Sequence, residues 1–96
     1  MCGISCANYE ITSGAMTEFV SEWRTQVVPL RIQAGFDIVG AWSNAATNRF
    51  VWIVVHEGDF EEADEAYYAS PDRRGLSPDP ARFIEEARSE FVSPAM

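Results

Sequence analysis

Between residues 15 and 34 Met16, Phe19, Val20, Trp23, Val27, Leu30 and Ala34 are apolar at recurring positions, with Glu18, Glu22, Thr25 and Gln26 outside them. That spacing traces one face of an amphipathic helix. Pro29 interrupts the pattern. Lacking an N–H for the Thr25 carbonyl, it predicts a kink or the end of the regular helix, and Gly35 is a natural stop. Before this helix, "ISCANYEI" (4–11) has the β-branched and aromatic content of a strand and halts at "TSG". After it, "FDIVGAWS" (36–43) reads as a second strand, "NAATN" as a turn and "RFVWIVVHE" (49–57) as a third strand.

Asp59 is the natural N-cap of a further helix, with Glu62 placed to complete a capping box. On that helix Phe60, Ala63, Tyr67 and Ser70 share a face, Ala66 lies beside them, Tyr68 is on the flank, and Pro71 is the expected end. "DRRGLSPDP" reads as a loop. Asp79 and Pro80 then fit the N-cap and first position of a short helix to about Ala87, and "SEFVSPA" the last strand. The order is β-α-β-β-α-β with a short extra helix, which fits a split βαβ, ferredoxin-like α+β domain with a four-stranded antiparallel sheet. Residues 1–96 are expected to form one such domain.

The third strand is apolar at both parities, Phe50, Trp52 and Val54 on one side and Val51, Ile53 and Val55 on the other. Such a strand is covered on both faces. Two helices cover one face of a four-stranded sheet, so the pattern predicts a homodimer whose sheets pack face to face. Size agrees: a 96-residue chain has a thin core and gains from oligomerisation.

Composition narrows the partners. Fifteen acids stand against seven bases, all arginine, for a net charge of −8. A chain this acidic is repelled by nucleic-acid phosphates and anionic membranes. No apolar run approaches a membrane span and no signal peptide opens the chain, so a soluble, cytoplasmic protein is expected. Cys2 and Cys6 are the only cysteines. On one strand they would lie roughly 13 Å apart, beyond the ~7 Å reach of a disulfide, which predicts reduced thiols. One histidine provides no His/Cys cluster for zinc, and no metal or cofactor is expected.

The stretch "YEITSGAMTEFVSEWRTQVVPLRIQAGFDIVGAWS", with Tyr9, Glu10, Phe19, Trp23, Pro29, Gly35, Gly40 and Trp42, resembles the NIPSNAP family, and "FVWIVVHEGDFEEADEAYYASPDRRG" and "FVSPA" continue its order. Thr12 stands where an arginine usually follows the opening motif. The resemblance implies membership of the dimeric α+β barrel superfamily. That superfamily includes cofactor-free monooxygenases, olivetolic acid cyclase, haem-degrading monooxygenases, chlorite dismutases and muconolactone isomerase, and often holds a small hydrophobic molecule between sheet and helices. Tyr67, four residues before Pro71, matches the cyclase's tyrosine, while Arg73 stands in place of its catalytic histidine. The same chemistry is therefore not implied, since function lives in the site.

His56, the lone histidine, shares a strand parity with Trp52 and Val54. As a neutral-pH proton carrier it is the candidate general acid or base, with Tyr67 as hydrogen-bonding partner if that face meets the helices. A histidine bonded to backbone, or lying in the dimer interface, is the structural alternative. Trp23, Trp42 and Trp52 are candidate apolar walls, and Tyr68 and Arg24 complete the substrate-binding set. Arg24 and Arg49 also suit internal salt bridges. The run "EGDFEEADE" lacks the alternating ligands of a calcium loop and fits favourable charge at a helix N-terminus. The leading expectation is a homodimeric binder of an aromatic or polyketide-like molecule, acting as a cofactor-free monooxygenase, cyclase or isomerase in secondary metabolism. A non-catalytic dimeric module and haem binding through His56 are the alternatives.

Overall fold

The structure, a computed structural model, describes residues 3–95. Four strands form one antiparallel sheet in the order β2-β3-β1-β4: β1 (Gly3–Ile11), β2 (Asp37–Asn44), β3 (Arg49–His56) and β4 (Ile84–Phe91). This is the ferredoxin-like arrangement. Ser5, Ala7 and Tyr9 of β1 stand opposite Val54, Trp52 and Phe50 of β3. Their parity faces the helices and carries the core.

The first helix is not broken at Pro29. It runs as α1 (Met16–Glu22), a π-helical stretch Trp23–Val27, and α2 (Val28–Gln33). Within the π stretch the Val28 N–H donates to the Trp23 carbonyl, five residues back. This slip puts Pro29 in the first turn of α2, where a missing N–H costs little. The kink expected at Pro29 is replaced by that change of register. The helix ends at Gly35, whose φ of 94° is open to glycine without strain.

Asp59 caps α3 (Phe60–Ala69), its Oδ1 accepting from the Glu62 N–H at 3.1 Å. Pro71 does not open a loop. It starts a further turn, α4 (Pro71–Arg74), which Ser70 caps by accepting from the Arg73 N–H. The short helix expected from Pro80 to Ala87 is only a 3₁₀ turn, Pro80–Phe83, and the final strand starts at Ile84 rather than Ser89. "IEEARSEF" favours helix by local preference, but hydrogen bonding to β1 overrides it, and its charged residues suit an exposed sheet edge.

Among the described residues no helix covers the other face of the sheet. Ile4, Cys6, Val51, Ile53 and Val55 are only half-buried there, and Trp42 is 58% exposed. The Trp42 ring lies over Gly40, where a Cβ would come within 2.7 Å of it, so glycine is what lets the indole lie flat on the strand. Cys6 is a free thiol. Cys2 lies outside the described residues, and with it the expectation for the pair.

Candidate functional site

A cavity of about 580 Å³ opens between the helix-facing side of the sheet and α3. Ser5, Ala7, Tyr9 and Trp52 form its sheet wall, Phe60, Asp64 and Tyr68 its helix wall, and Arg31 reaches it from α2. A larger concavity of about 760 Å³ lies on the bare face among Cys6, Asn8, Arg49 and Arg88. It has no aromatic wall, so the sheet–helix cavity is the candidate site.

Arg31 organises the cavity. It is 97% buried by residue, with 3% exposure, yet carries a permanent charge. Its Nη1 donates to Asp64 Oδ1 at 2.6 Å and its Nη2 to the Tyr68 hydroxyl at 3.2 Å. The guanidinium carbon sits 3.9 Å from the Tyr67 ring centroid, 4.7 Å from Phe36 and 5.5 Å from Trp52. One ion pair and a ring of π faces hold a charge that burial alone would expel. Arg31 Nε and Trp52 Nε1 are buried without a hydrogen-bond partner among the described residues.

Tyr9 stacks on Phe50 at 6.2 Å and lines the cavity with its phenol. Burial pushes that phenol up to about 12 from an ordinary 10.0, with the neighbouring Tyr68 phenol adding to the rise. The folded chain therefore prefers neutral Tyr9, a donor toward the cavity. The unfolded chain loses its proton first, so this contribution to stability is complete below pH 10.0 and lost as pH rises toward about 12. An ultraviolet absorbance titration is expected to show a tyrosine step near pH 12 that disappears in Tyr9→Phe. A step lost near pH 10 instead would place Tyr9 in water.

The residues expected from sequence divide. Trp52 and Tyr68 line the cavity. Trp23 is buried behind Trp52, edge to face at 5.4 Å, and supports the wall without forming it. Trp42 lies on the opposite face of the sheet, so the three tryptophans do not enclose one space. Arg24 is exposed in a surface groove beside Val20 and Ser43, away from the cavity.

His56 does face the helices, but Phe36 lies against both His56 (4.9 Å) and Tyr67 (6.2 Å). The two expected partners form no hydrogen bond. His56 Nδ1 accepts from the Gly58 N–H at 2.9 Å, and the Tyr67 hydroxyl is buried without a hydrogen-bond partner among the described residues. Burial raises the Tyr67 phenol, against a pull downward from Arg31 and Arg73. His56 Nε2 lies only 3.4 Å from where a Cβ on Gly35 would stand. The imidazole lies among Gly35, Phe36 and Gly58, with Nδ1 taken by backbone and Nε2 left as its second nitrogen. Arg73 is tied to Asp79 at 3.1 Å, and Arg49 reaches Glu10 at 4.0 Å.

The chemistry that sequence reasoning missed is Arg31, Asp64 and Tyr9. Arg31 had a readable signal. It falls four residues after Val27 on the apolar stripe of the first helix, where a charge must find a buried partner. Asp64 sits one turn after Phe60, masked by the acidic run around it.

The fold and cavity define a ferredoxin-like α+β protein with one open sheet face. Solved structures with this fold include a NIPSNAP domain protein from Burkholderia xenovorans, 22% identical, matched over 99% of this chain and 95% of that one with a TM-score of 0.80. A NIPSNAP family protein from Agrobacterium tumefaciens is 13% identical over 98% and 86% of the two chains, with a TM-score of 0.85. A putative antibiotic biosynthesis monooxygenase from Nitrosomonas europaea is 13% identical over 98% and 90%, with a TM-score of 0.71. The resemblance to NIPSNAP proteins thus holds at the level of the fold. No protein-family model and no curated protein sequence matches the chain. Among the described residues no helix is long and apolar enough to cross a membrane.

Proposed function

We propose that the chain is a homodimeric small-molecule-binding protein whose ligand, a hydrophobic aromatic or polyketide-like molecule, sits in the cavity between the sheet and α3. The observation that carries this reading is the cavity itself: about 580 Å³, within the usual range for a small-molecule site, with Tyr9, Trp52 and Tyr68 in its wall and a buried arginine at its base. Flat aromatic walls suit a flat ligand, and buried donors suit its oxygen atoms.

Within this reading the chemistry is that of a cofactor-free enzyme of cytoplasmic secondary metabolism, of monooxygenase, cyclase or isomerase type. The antibiotic-biosynthesis name borne by a protein of the same fold and the free Cys6 thiol support that setting. Arg31 would offset charge developing on a ligand oxygen, and the Asp64 carboxylate paired with it would be the proton acceptor. His56 and Tyr67, outside the lining, would act by holding Phe36 and the ring cluster around Arg31. A non-catalytic dimeric module is the second reading. It is favoured by the fixed His56 Nδ1, an imidazole already committed to backbone.

Ser89 of β4 is exposed and stands opposite Ala7 on the cavity side. Ser89→Trp fills the cavity from its edge and leaves the core untouched. By calorimetry, naphthol is expected to bind the wild type and His56→Ala, and to lose at least tenfold in affinity for Ser89→Trp, about 1.4 kcal/mol. Equal binding to Ser89→Trp and wild type would exclude this cavity as the site.

A further inference from the structure

The charges around the cavity are unequal in a way the ligand must answer. Arg31 is matched by Asp64, and Arg88 on the β4 edge by Glu86 at 2.8 Å. Glu61 and Glu65 also line the cavity, exposed and one helical turn apart on α3, and neither forms an ion pair among the described residues. The rim is therefore anionic. It also carries aromatic faces, since Tyr68 is 47% exposed and Phe91 54% exposed in the same lining. Carboxylates beside open aromatic faces attract a cation by charge and by the ring quadrupole together. The base has the opposite character. Arg31 Nε and Trp52 Nε1 are donors on residues at least 97% buried, neither with a hydrogen-bond partner among the described residues, and both residues line the same cavity. Buried donors call for an acceptor atom.

Resting on the ligand-binding reading above, we propose that the cavity takes an amine-bearing aromatic ligand. Its oxygen acceptor turns inward to Arg31 and Trp52, its ring lies between Trp52 and Tyr68, and its ammonium sits at the rim against Glu61 and Glu65. A carboxylate at that outer end is rejected by the same two residues. Neutral Tyr9 adds a donor at the base and no charge.

The test uses three probes on one ring: naphthol, the same naphthol bearing an aminomethyl group, and the same naphthol bearing a carboxylate. Binding to the full chain is followed at the Trp52 indole N–H by NMR, which separates cavity occupation from loose attraction to an acidic surface. The aminomethyl probe is expected to bind about tenfold tighter than naphthol and the carboxylate probe about tenfold weaker, with both differences shrinking at high salt. In E61Q/E65Q the three affinities converge. In E57Q/E62Q, which removes the same charge outside the lining, the preference persists. Naphthol binding with no preference for the amine would overturn the proposal and leave the cavity as a ligand site. Loss of the preference in E57Q/E62Q as well would overturn it too, assigning the attraction to net charge. No response of Trp52 to any of the probes would overturn the binding reading and this proposal together.

Discussion

Asp64→Ala is expected to lower folding stability by about 2–3 kcal/mol, a fall of roughly 10–20 °C in melting temperature for a chain of this size. The cause is the partner left behind. Arg31 is 3% exposed, so removing Asp64 strands a full guanidinium charge among Phe36, Tyr67 and Trp52. The Asp64 side chain is itself 35% exposed, which lets water soften the loss below that of a wholly buried pair. The same asymmetry predicts that Arg31→Met costs less than Asp64→Ala. In that variant the stranded member is a carboxylate water already reaches, and methionine keeps much of the packing on the rings. Arg31→Met/Asp64→Leu should recover most of the lost stability, because no unpaired charge remains. Urea unfolding at one fixed protein concentration measures all of these, since coupled association would shift the midpoints otherwise. A loss under about 0.5 kcal/mol in Asp64→Ala would show the pair to be an ordinary surface salt bridge, and its place at the base of the site would need another account.

How much of this was legible in the sequence depends on the range of the interaction that decides each feature. Strands β1 to β3 and the helices between them follow from periodicity, capping residues and glycine stops, which act within a few residues. The β4 boundary was misjudged because residues 84–88, "IEEAR", have no strand pattern of their own. Their conformation is set by pairing with β1 some eighty residues earlier, through contacts such as Tyr9 opposite Ala87. The local rule for proline predicts a break at Pro29, and the helix evades it by slipping into π geometry one turn earlier. The site shows the same division. Trp52 and Tyr68 reach the cavity as their face and flank positions allow, whereas His56 and Tyr67 sit near each other along the fold with the Phe36 ring intervening. A ring from the residue just before β2 cannot be placed there by strand parity. Arg31 was visible as a charge on an apolar stripe, but its pairing with Asp64, 33 residues away, belongs to tertiary structure.

Ile53→Asp is expected to abolish the proposed dimer while leaving the subunit folded. Ile53 lies at the centre of the bare face, opposite Cys6 on one side and Gly40 on the other, and is only half-buried in the subunit. An aspartate there meets water in the monomer and costs it little. In a face-to-face dimer the twofold axis brings the same patch against itself, so the substitution buries two like charges with no counter-ion. Each such charge costs several kcal/mol, enough to weaken association by three orders of magnitude or more. The patch that would be lost is apolar at its middle, with Ile4, Trp42, Val51 and Val55 around Ile53, and charged toward its edges, where Asp37, Glu10, Arg49, Glu86, Arg88 and Glu90 stand. That distribution, an apolar centre with a polar rim, is the one a stable interface needs. Sedimentation equilibrium at micromolar concentration is expected to give a dimer for the wild type and for Tyr68→Phe, which alters the cavity side of the sheet, and a folded monomer for Ile53→Asp. A dimer that survives Ile53→Asp would move the interface off this face. A monomeric wild type would mean that the apolar parity of Val51, Ile53 and Val55 serves something other than a second copy of the chain.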